Sequence, residues 1–524
     1  MAAEEQNKKE IRRNIMATRT QHAKRNIITS IINKMVSMFA VFIMRTVIIR
    51  YLGALYLGLD SLFASLLQIL SLAELGVGAA MVFSMYKPIA EGDTPAVCAL
   101  LNLYRTFYRW IAVIMAAGGL LMLPFLHFIV KTELPPGANL YLLYLINLST
   151  PVLSYLLFAY RDSLFTANQQ YSINNNIYTY FKIGSSAVQA AAVIIFRNYY
   201  FYCLILPLSE LAKNYVIYVL SNKMYPQYQC SGTVPKEALD GIKKRIAGMF
   251  LTKVSSTFRN SLDSIVLSSF LGLSVLAMYN NYYYILNAIT GLLMLTTTSI
   301  TASVGNSMVL EAKEKNYADF NKLQMLFMWL NAWATTCLVS SYQPFIKLWV
   351  GEGMMFDDTI MMIFCVYFLT LGFNRVCYIY RQTAGLWWQD KFRPIAEAIT
   401  NFVLNIVLVK YIGVTGVMFS TIFCIVFIDC VWGGRTLYKY YFTDKHLSEY
   451  LLKLALYSAL TLAACAGCYF ICTRIGLDGI PALIVNLIVA TVVSNIVFAV
   501  GCSFLPEFRP AIRFALNAAV RSGK

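Results

Sequence analysis

The sequence predicts an all-α integral membrane protein of about fourteen transmembrane helices. They are arranged as two pseudo-symmetric six-helix lobes around a central cavity, with two extra C-terminal helices. Three observations predict this class. Hydrophobic residues make up 58% of the 524 residues and charged residues only 13%, whereas a soluble domain carries about a quarter charged. Apolar runs of about twenty residues or more follow one another along nearly the whole chain. Each can cross a ~30 Å hydrocarbon core as a helix that satisfies its own backbone hydrogen bonds. The third observation is an internal repeat.

Spans are expected near 27–50, 55–84, 104–130, 139–160, 174–196, 199–220, 246–270, 276–304, 323–346, 359–380, 395–410, 414–433, 450–473 and 481–504. The stretch 395–433 reads almost as one segment, and the turn Tyr411-Ile412-Gly413 divides it. The opening residues MAAEEQNKKEIRRN are too polar for a cleaved signal peptide, so the first apolar run is expected to be a retained helix.

The net charge is +17, and its distribution sets the orientation. With both termini in the cytoplasm, about thirty Lys and Arg fall on the inner side, as the positive-inside rule requires. Arg50, Lys131, Arg197, Lys347, Lys410 and Arg474 fall on the other. This accounts for most of the charge without a nucleic-acid partner. The organisation expected is a basic cytoplasmic N-terminus (1–26), an N-lobe (27–221), a linker (222–245), a C-lobe (246–440), two further helices (441–505) and a basic amphipathic tail (506–524). The linker, with Lys236, Lys243, Lys244 and Arg245, reads as an amphipathic piece lying on anionic headgroups, and the tail reads the same way.

The repeat has a spacing of 219–220 residues. Lys34, Ser37, Val47, Leu52 and Gly53 match Lys253, Ser256, Val266, Leu271 and Gly272. Phe107, Pro124, Phe125 and Val130 match Phe327, Pro344, Phe345 and Val350. Tyr160, Arg161 and Gln169 match Tyr380, Arg381 and Gln389. Proline and polar matches in one order are not the chance apolar identities of membrane helices. Six helices per copy start both copies on the same side, a parallel repeat of the alternating-access kind.

Basic residues inside the spans are costly unless they face a partner or a wet cavity. They are Lys34, Arg45, Arg109, Lys182, Lys213, Arg259 and Arg375, with Lys253 just inside the seventh span. Lys213 lies three residues from Glu210 and Arg259 four from Asp263, so each is either an intrahelical pair or a cavity group. Lys34 and Arg45 are eleven residues apart and share a helix face with no acid nearby. Arg105 and Arg109 are one turn apart and repel unless an anion sits between them, although Arg109 is close enough to the headgroups to snorkel. Lys182 and Arg375 have no partner in sequence. Such a surplus suits a phosphate or pyrophosphate headgroup and disfavours organic cations. Asp60, Glu74 and Asp263 are the acids placed to carry a coupling ion, H+ or Na+, and Glu74 alternatively partners a basic residue. The other intramembrane acids are Glu210, Glu397 and Asp429.

The run Tyr279-Asn280-Asn281-Tyr282-Tyr283-Tyr284 is either part of an interfacial aromatic belt or a sugar platform through Tyr279, Asn280, Asn281 and Tyr283. The twelve cysteines, including Cys465 and Cys468, sit in apolar segments and read as packing residues. No GxxxxGK[ST], metal-ligand cluster or nucleophile–base pattern is present, so no cofactor and no enzyme activity are expected.

Two stretches carry a family resemblance. Tyr51 through Asp93, containing LSLAELGVGAAMVFSMYKPIAEGD, and 381–421, RQTAGLWWQDKFRPIAEAITNFVLNIVLVKYIGVTGVMFST, resemble the polysaccharide transporter branch of the multidrug/oligosaccharidyl-lipid/polysaccharide exporter superfamily, the Wzx-type O-antigen and capsule repeat-unit flippases. The resemblance implies an undecaprenyl-pyrophosphate-linked oligosaccharide as substrate, flipped across a bacterial inner membrane. It implies a cationic cavity, onto which Lys34, Arg45, Lys253 and Arg259 are carried over. It also implies ion coupling and, as a partner, polysaccharide polymerase machinery. An ion-coupled multidrug exporter of the same fold is the alternative. A polytopic glycosyltransferase is disfavoured because the longest connection, 222–245, is too short for a catalytic domain.

Overall fold

The structure, a computed structural model, describes residues 28–522 apart from 75 and 131–133. Inside helices, the side chains of 73, 248–256, 258–260, 295–299, 302 and 518–522 are also outside the description. The chain divides into two compact units between Thr257 and Phe258.

The first unit holds α1 (Ile28–Tyr51), α2 (Ala54–Leu70), α3 (Val77–Glu91), α4 (Thr94–Met122), α5 (Leu126–Ile129), α6 (Leu140–Leu156), α7 (Asp162–Ala167), α8 (Tyr171–Phe196) and α9 (Tyr199–Met224). The helix α10 (Lys236–Leu271) runs across the division. The second unit continues with α11 (Leu273–Leu310), α12 (Lys313–Val350), α13 (Asp358–Phe373), α14 (Arg375–Thr383), α15 (Arg393–Phe423), α16 (Gly433–Tyr440), α17 (Leu447–Ile475), α18 (Gly479–Cys502) and α19 (Phe508–Ser522).

Each expected span lies mainly on helix. Among the described residues, 8 helices are long and apolar enough to cross a membrane, or 9 if the bent pair Leu140–Leu156 and Ala159–Ala167 is one span. Part of the difference from about fourteen lies in α10, α11 and α12, which are not among the 8, and two further features account for the rest. Arg393–Tyr440 registers as one helix of 48 residues, but Ile412 (φ −130°) and Gly413 (φ 58°) break it. The chain doubles back there. Asn401 donates to Thr421 at 3.1 Å, and an added Cβ on Gly416 would lie 2.5 Å from the Leu408 carbonyl. The turn at Tyr411-Ile412-Gly413 therefore makes two antiparallel segments, as the sequence predicts. In the second expected span, a 3-10 turn at Ser71–Glu74 and Gly76 (φ 90°) break the helix into α2 and α3, each short for a crossing.

The repeat is visible in backbone geometry. Gly53 begins α2 with φ 99°, and its match Gly272 begins α11 with φ 93°. Each amide donates to the carbonyl five residues back, Gly53 to Ile48 at 2.9 Å and Gly272 to Leu267 at 3.1 Å. Only glycine adopts this backbone without strain, so the glycine matches because the turn matches. Val130 caps the end of α5, and its match Val350 is the last residue of α12.

The core of the first unit gathers Val77, Leu101, Ile111, Leu164, Phe165 and Ile217. The linker differs from expectation. Tyr225 and Tyr228 are buried in this core, and Gly232 accepts a hydrogen bond from Asn102 at 2.9 Å. Residues 225–232 thus strap onto protein through the two buried tyrosines and this hydrogen bond. Lys236, Lys243, Lys244 and Arg245 remain exposed. In the second unit α17 and α18 pack on α12: Trp329 donates to Asn495 at 3.0 Å and Asn486 to the Ser340 carbonyl at 2.8 Å. Cys465 and Cys468 are buried in this packing, and the cysteines are unbridged.

Candidate functional site

The first unit concentrates its polar groups in two tiers. The first tier forms where α1 ends and α9 begins. Asp60, on the second turn of α2, accepts a hydrogen bond from the Tyr199 hydroxyl at 3.1 Å, and Tyr202 also hydrogen-bonds to it. Arg45 of α1 and Lys182 of α8 lie within electrostatic reach of the same carboxylate. Arg45 is 8% exposed and Lys182 half-buried. Four helices thus bring two cations, one carboxylate and two phenols together, with a formal surplus of positive charge. Each charged member is visible separately along the chain; Tyr199 and Tyr202 carry no signal of their own there.

The second tier lies toward the beginnings of α4 and α8. Lys213 donates to both oxygens of Glu210 at 2.7 Å and sits 4.1 Å from the centroid of the Tyr178 ring. The i,i+3 spacing already predicts this pair. Nearby Asp162, the first residue of α7, is within electrostatic reach of Lys213, Glu210 and Glu74. The Tyr104 and Tyr108 hydroxyls are 2.6 Å apart beside Glu74. Among the described residues, Glu74 thus lies near acids and phenols. Asp162 was missed because it falls in what reads as a connection.

In the second unit, Asp263 is 4% exposed and sits in an amide–hydroxyl knot. It accepts from Asn405 at 2.6 Å and from Thr421 at 3.2 Å. Asn405 also donates to Asn401 Oδ1 at 3.3 Å and accepts from Ser420. The spacings 401/405 and 417/421 put these groups on facing sides of the α15 hairpin, and the Val417 carbonyl joins them by accepting from Ser420 and Thr421. A separate charge network joins Arg381, Asp390, Arg393, Glu397 and Asp429. Arg381 lies 3.1 Å from Asp390, and Arg393 reaches Asp390 at 2.9 Å, Glu397 at 3.4 Å and also Asp429. Arg375 begins α14, half-buried beside Asn331 and Gly372 and within electrostatic reach of Asp429.

The other candidate residues stand apart from these clusters. Arg109 is exposed, because the buried face of α4 is taken by Tyr104, Tyr108, Ile111 and Met115. Its neighbour Arg105 donates to Asn102 at 2.8 Å. Lys34 is exposed although it shares a face with Arg45, because the first half of α1 is less covered than the second. Tyr279 and Asn281 are 3% and 0% exposed. Tyr279 packs on Phe364 at 5.3 Å and Tyr283 at 5.9 Å, so these aromatics fill core and are closed to a sugar. Asn280 and Tyr283 are half-buried. Lys253 and Arg259 lie on α10 with side chains outside the described residues.

No family model and no curated protein matches the sequence. Solved structures do match. "Lipid II flippase MurJ, inward closed conformation" aligns over 92% of this chain and 99% of that one, with TM-score 0.62 and 16% identity. An inward-facing multidrug resistance MATE family transporter of the MOP superfamily covers 78% of this chain and 97% of its own, with TM-score 0.60 and 11% identity. A mutant of the Vibrio cholerae MATE transporter VcmN covers 83% and 100%, with TM-score 0.51 and 14% identity. The chain has the fold of these transporters. It is a multi-pass membrane protein of that architecture.

Proposed function

We propose that this protein is a flippase that moves an undecaprenyl-pyrophosphate-linked oligosaccharide repeat unit from the cytoplasmic to the outer leaflet of a bacterial inner membrane, by alternating access of its two lobes. The observation that carries this reading is the first tier: Arg45 and Lys182 brought together within one unit, on separate helices, around a single carboxylate. Burying cations in a membrane protein costs several kcal/mol, and an anionic pyrophosphate offsets that cost with charge-assisted hydrogen bonds. Likeness of fold to a lipid II flippase supports a lipid-linked substrate, and the two resembling stretches support a polysaccharide repeat unit such as that of O-antigen. Both termini face the cytoplasm in this reading, and the product passes to a polysaccharide polymerase. Coupling falls to Asp263, whose carboxylate and surrounding amide, hydroxyl and carbonyl oxygens suit a small hard cation. Lys253 and Arg259, one to three turns away on the same helix, belong to the same cationic path.

A second reading, an ion-coupled multidrug exporter, is favoured by one observation: among the described residues, the second tier carries three carboxylates against one lysine. The test is transfer of a fluorescent polyprenyl-pyrophosphate oligosaccharide between leaflets of proteoliposomes. The native chain is expected to transfer it, and Arg45→Ala with Lys182→Ala to lose at least about tenfold in rate, or ~1.4 kcal/mol. Unchanged transfer by a folded double variant removes the first tier from the substrate path. An inert native chain that extrudes a cationic dye selects the exporter.

A further inference from the structure

We propose that the π-helix Cys424–Trp432 is a two-register switch in the second unit, which holds Asp429 on Arg381 and Arg393 in one register and withdraws it in the other. The proposal rests on transport by alternating access, whichever molecule is carried. A π-helix of 9 residues is uncommon, since the form occurs mostly as single turns inside α-helices and often at functional sites.

The burial pattern shows what the segment does. Before it and at its start, the inward positions are Val417, Thr421, Cys424 and Ile425, at α-helical spacing. Beyond them the inward positions are Cys430, Gly433, Gly434 and Leu437. An unbroken α-helix would instead turn Ile428, Trp432 and Arg435 inward. Here Ile428 is half-buried, and Trp432 and Arg435 are exposed. The wider turn thus delays the register and gives the inward place to Asp429 in preference to Ile428. Asp429 then reaches Arg393 and stands 3.7 Å from Arg381 Nη2. Gly433 passes so close to the same guanidinium that a Cβ would lie 2.2 Å from Arg381 Nη1.

Two further observations indicate that this register is held rather than fixed. Nε and Nη2 of Arg381 are buried with no hydrogen-bond partner among the described residues, so the guanidinium is not fully satisfied where it is. Gly433 and Gly434 follow the segment directly, and helices kink at π-turns and at glycine pairs. Rewinding to α-helix breaks the Asp429 contacts and turns α16 about its axis relative to the end of α15. That is the kind of helix register shift that switching proteins use.

The test uses the purified full chain. Deleting Phe427, which is more than half exposed, shortens the segment by one residue. An unbroken α-helix then delivers Asp429, Gly433 and Thr436 to the inward face. The engaged register is kept and the alternative is lost. The expected variant has an unfolding midpoint at or above the native one, and amide hydrogen exchange over 425–431 slowed about tenfold or more. Its leaflet transfer of the fluorescent polyprenyl-pyrophosphate oligosaccharide, or its efflux of a cationic dye if that is what the native chain moves, is expected to fall about tenfold or more. Asp429→Asn acts in the opposite direction and serves if the deletion destabilises the chain. Exchange over 425–431 is expected to rise about tenfold or more, with α17 and α18 unchanged. Native transport by the folded deletion variant overturns the proposal, and so does unmoved exchange in Asp429→Asn. A native chain inert toward the lipid-linked oligosaccharide counts against the flippase reading alone, and the exchange measurements still decide this one.

Discussion

The matched dipeptides Tyr160-Arg161 and Tyr380-Arg381 show how differently the two units treat one structural position. Both arginines are buried, at 5% and 3% exposure. In the first unit Arg161 donates to the Tyr228 carbonyl at 2.9 Å and lies against the Tyr160 and Tyr218 rings at 5.7 and 5.5 Å. Its neutralisation is dipolar and aromatic, and it is completed by the strap after α9. In the second unit Arg381 faces Asp390 at 3.1 Å and Asp429 at 3.7 Å, in a network that also holds Arg393 and Glu397. A repeated backbone thus fixes where the cation is buried and leaves its counter-charge to local sequence. The consequence reaches the function. The second unit binds its arginine to formal charges packed in place, whereas the first unit, where Arg161 has no carboxylate partner among the described residues, gathers its acids in the tiers around Arg45 and Glu74.

The largest effect that sharpens this contrast is expected from Asp390→Ala. It leaves two buried guanidiniums short of a carboxylate, a loss of about 3–5 kcal/mol, read as a lower unfolding midpoint in detergent. The matching change in the first unit, Arg161→Met, removes one donor from a buried carbonyl and is expected to cost about 1–3 kcal/mol. Equal losses from the two would erase the contrast. Gly53→Ala and Gly272→Ala test what the units share. Each forces a side chain into a glycine-only backbone at about 1–3 kcal/mol, and at Gly53 no atom within 4 Å adds a steric cost. Similar midpoints for the two variants support equivalent turns, and a large difference would break the equivalence. The smallest effect is expected from Lys347→Ala. Its ammonium is 2.7 Å from Glu352, but both side chains are more than half exposed, and such pairs contribute little. The lysine holds the Glu352 carboxyl below its usual range, so any contribution is present at neutral pH and fades as pH falls through the carboxylate range. A midpoint unmoved by the substitution at neutral pH and moderate salt is the expected result.

How much of this was legible beforehand varies by element. Helices were, because each apolar run must satisfy its backbone within itself. The division at Gly413 was, because a turn inside an apolar stretch needs its own residues. The Lys213–Glu210 pair was readable from i,i+3 spacing. The burial of Tyr279 and Asn281 was not, since a polar aromatic run looks the same whether it lines a cavity or fills a core. Nor was the exposure of Arg109, because α4 carries apolar residues on both faces and the sequence does not say which meets protein.

By itself, then, the sequence determined the membrane class, the positions of the crossing helices, the repeat with its glycine turns, and the set of charges that must be accommodated in an apolar setting. These follow from local rules, hydrophobic length and backbone conformation, which need no partner. Tertiary structure alone decided which charges meet. Asp60 joins Lys182 across 122 residues and Asp263 joins Asn405 across 142. A charge in a low-dielectric interior is governed by whatever stands within a few ångströms of it, and helix packing, which no local pattern encodes, chooses those neighbours.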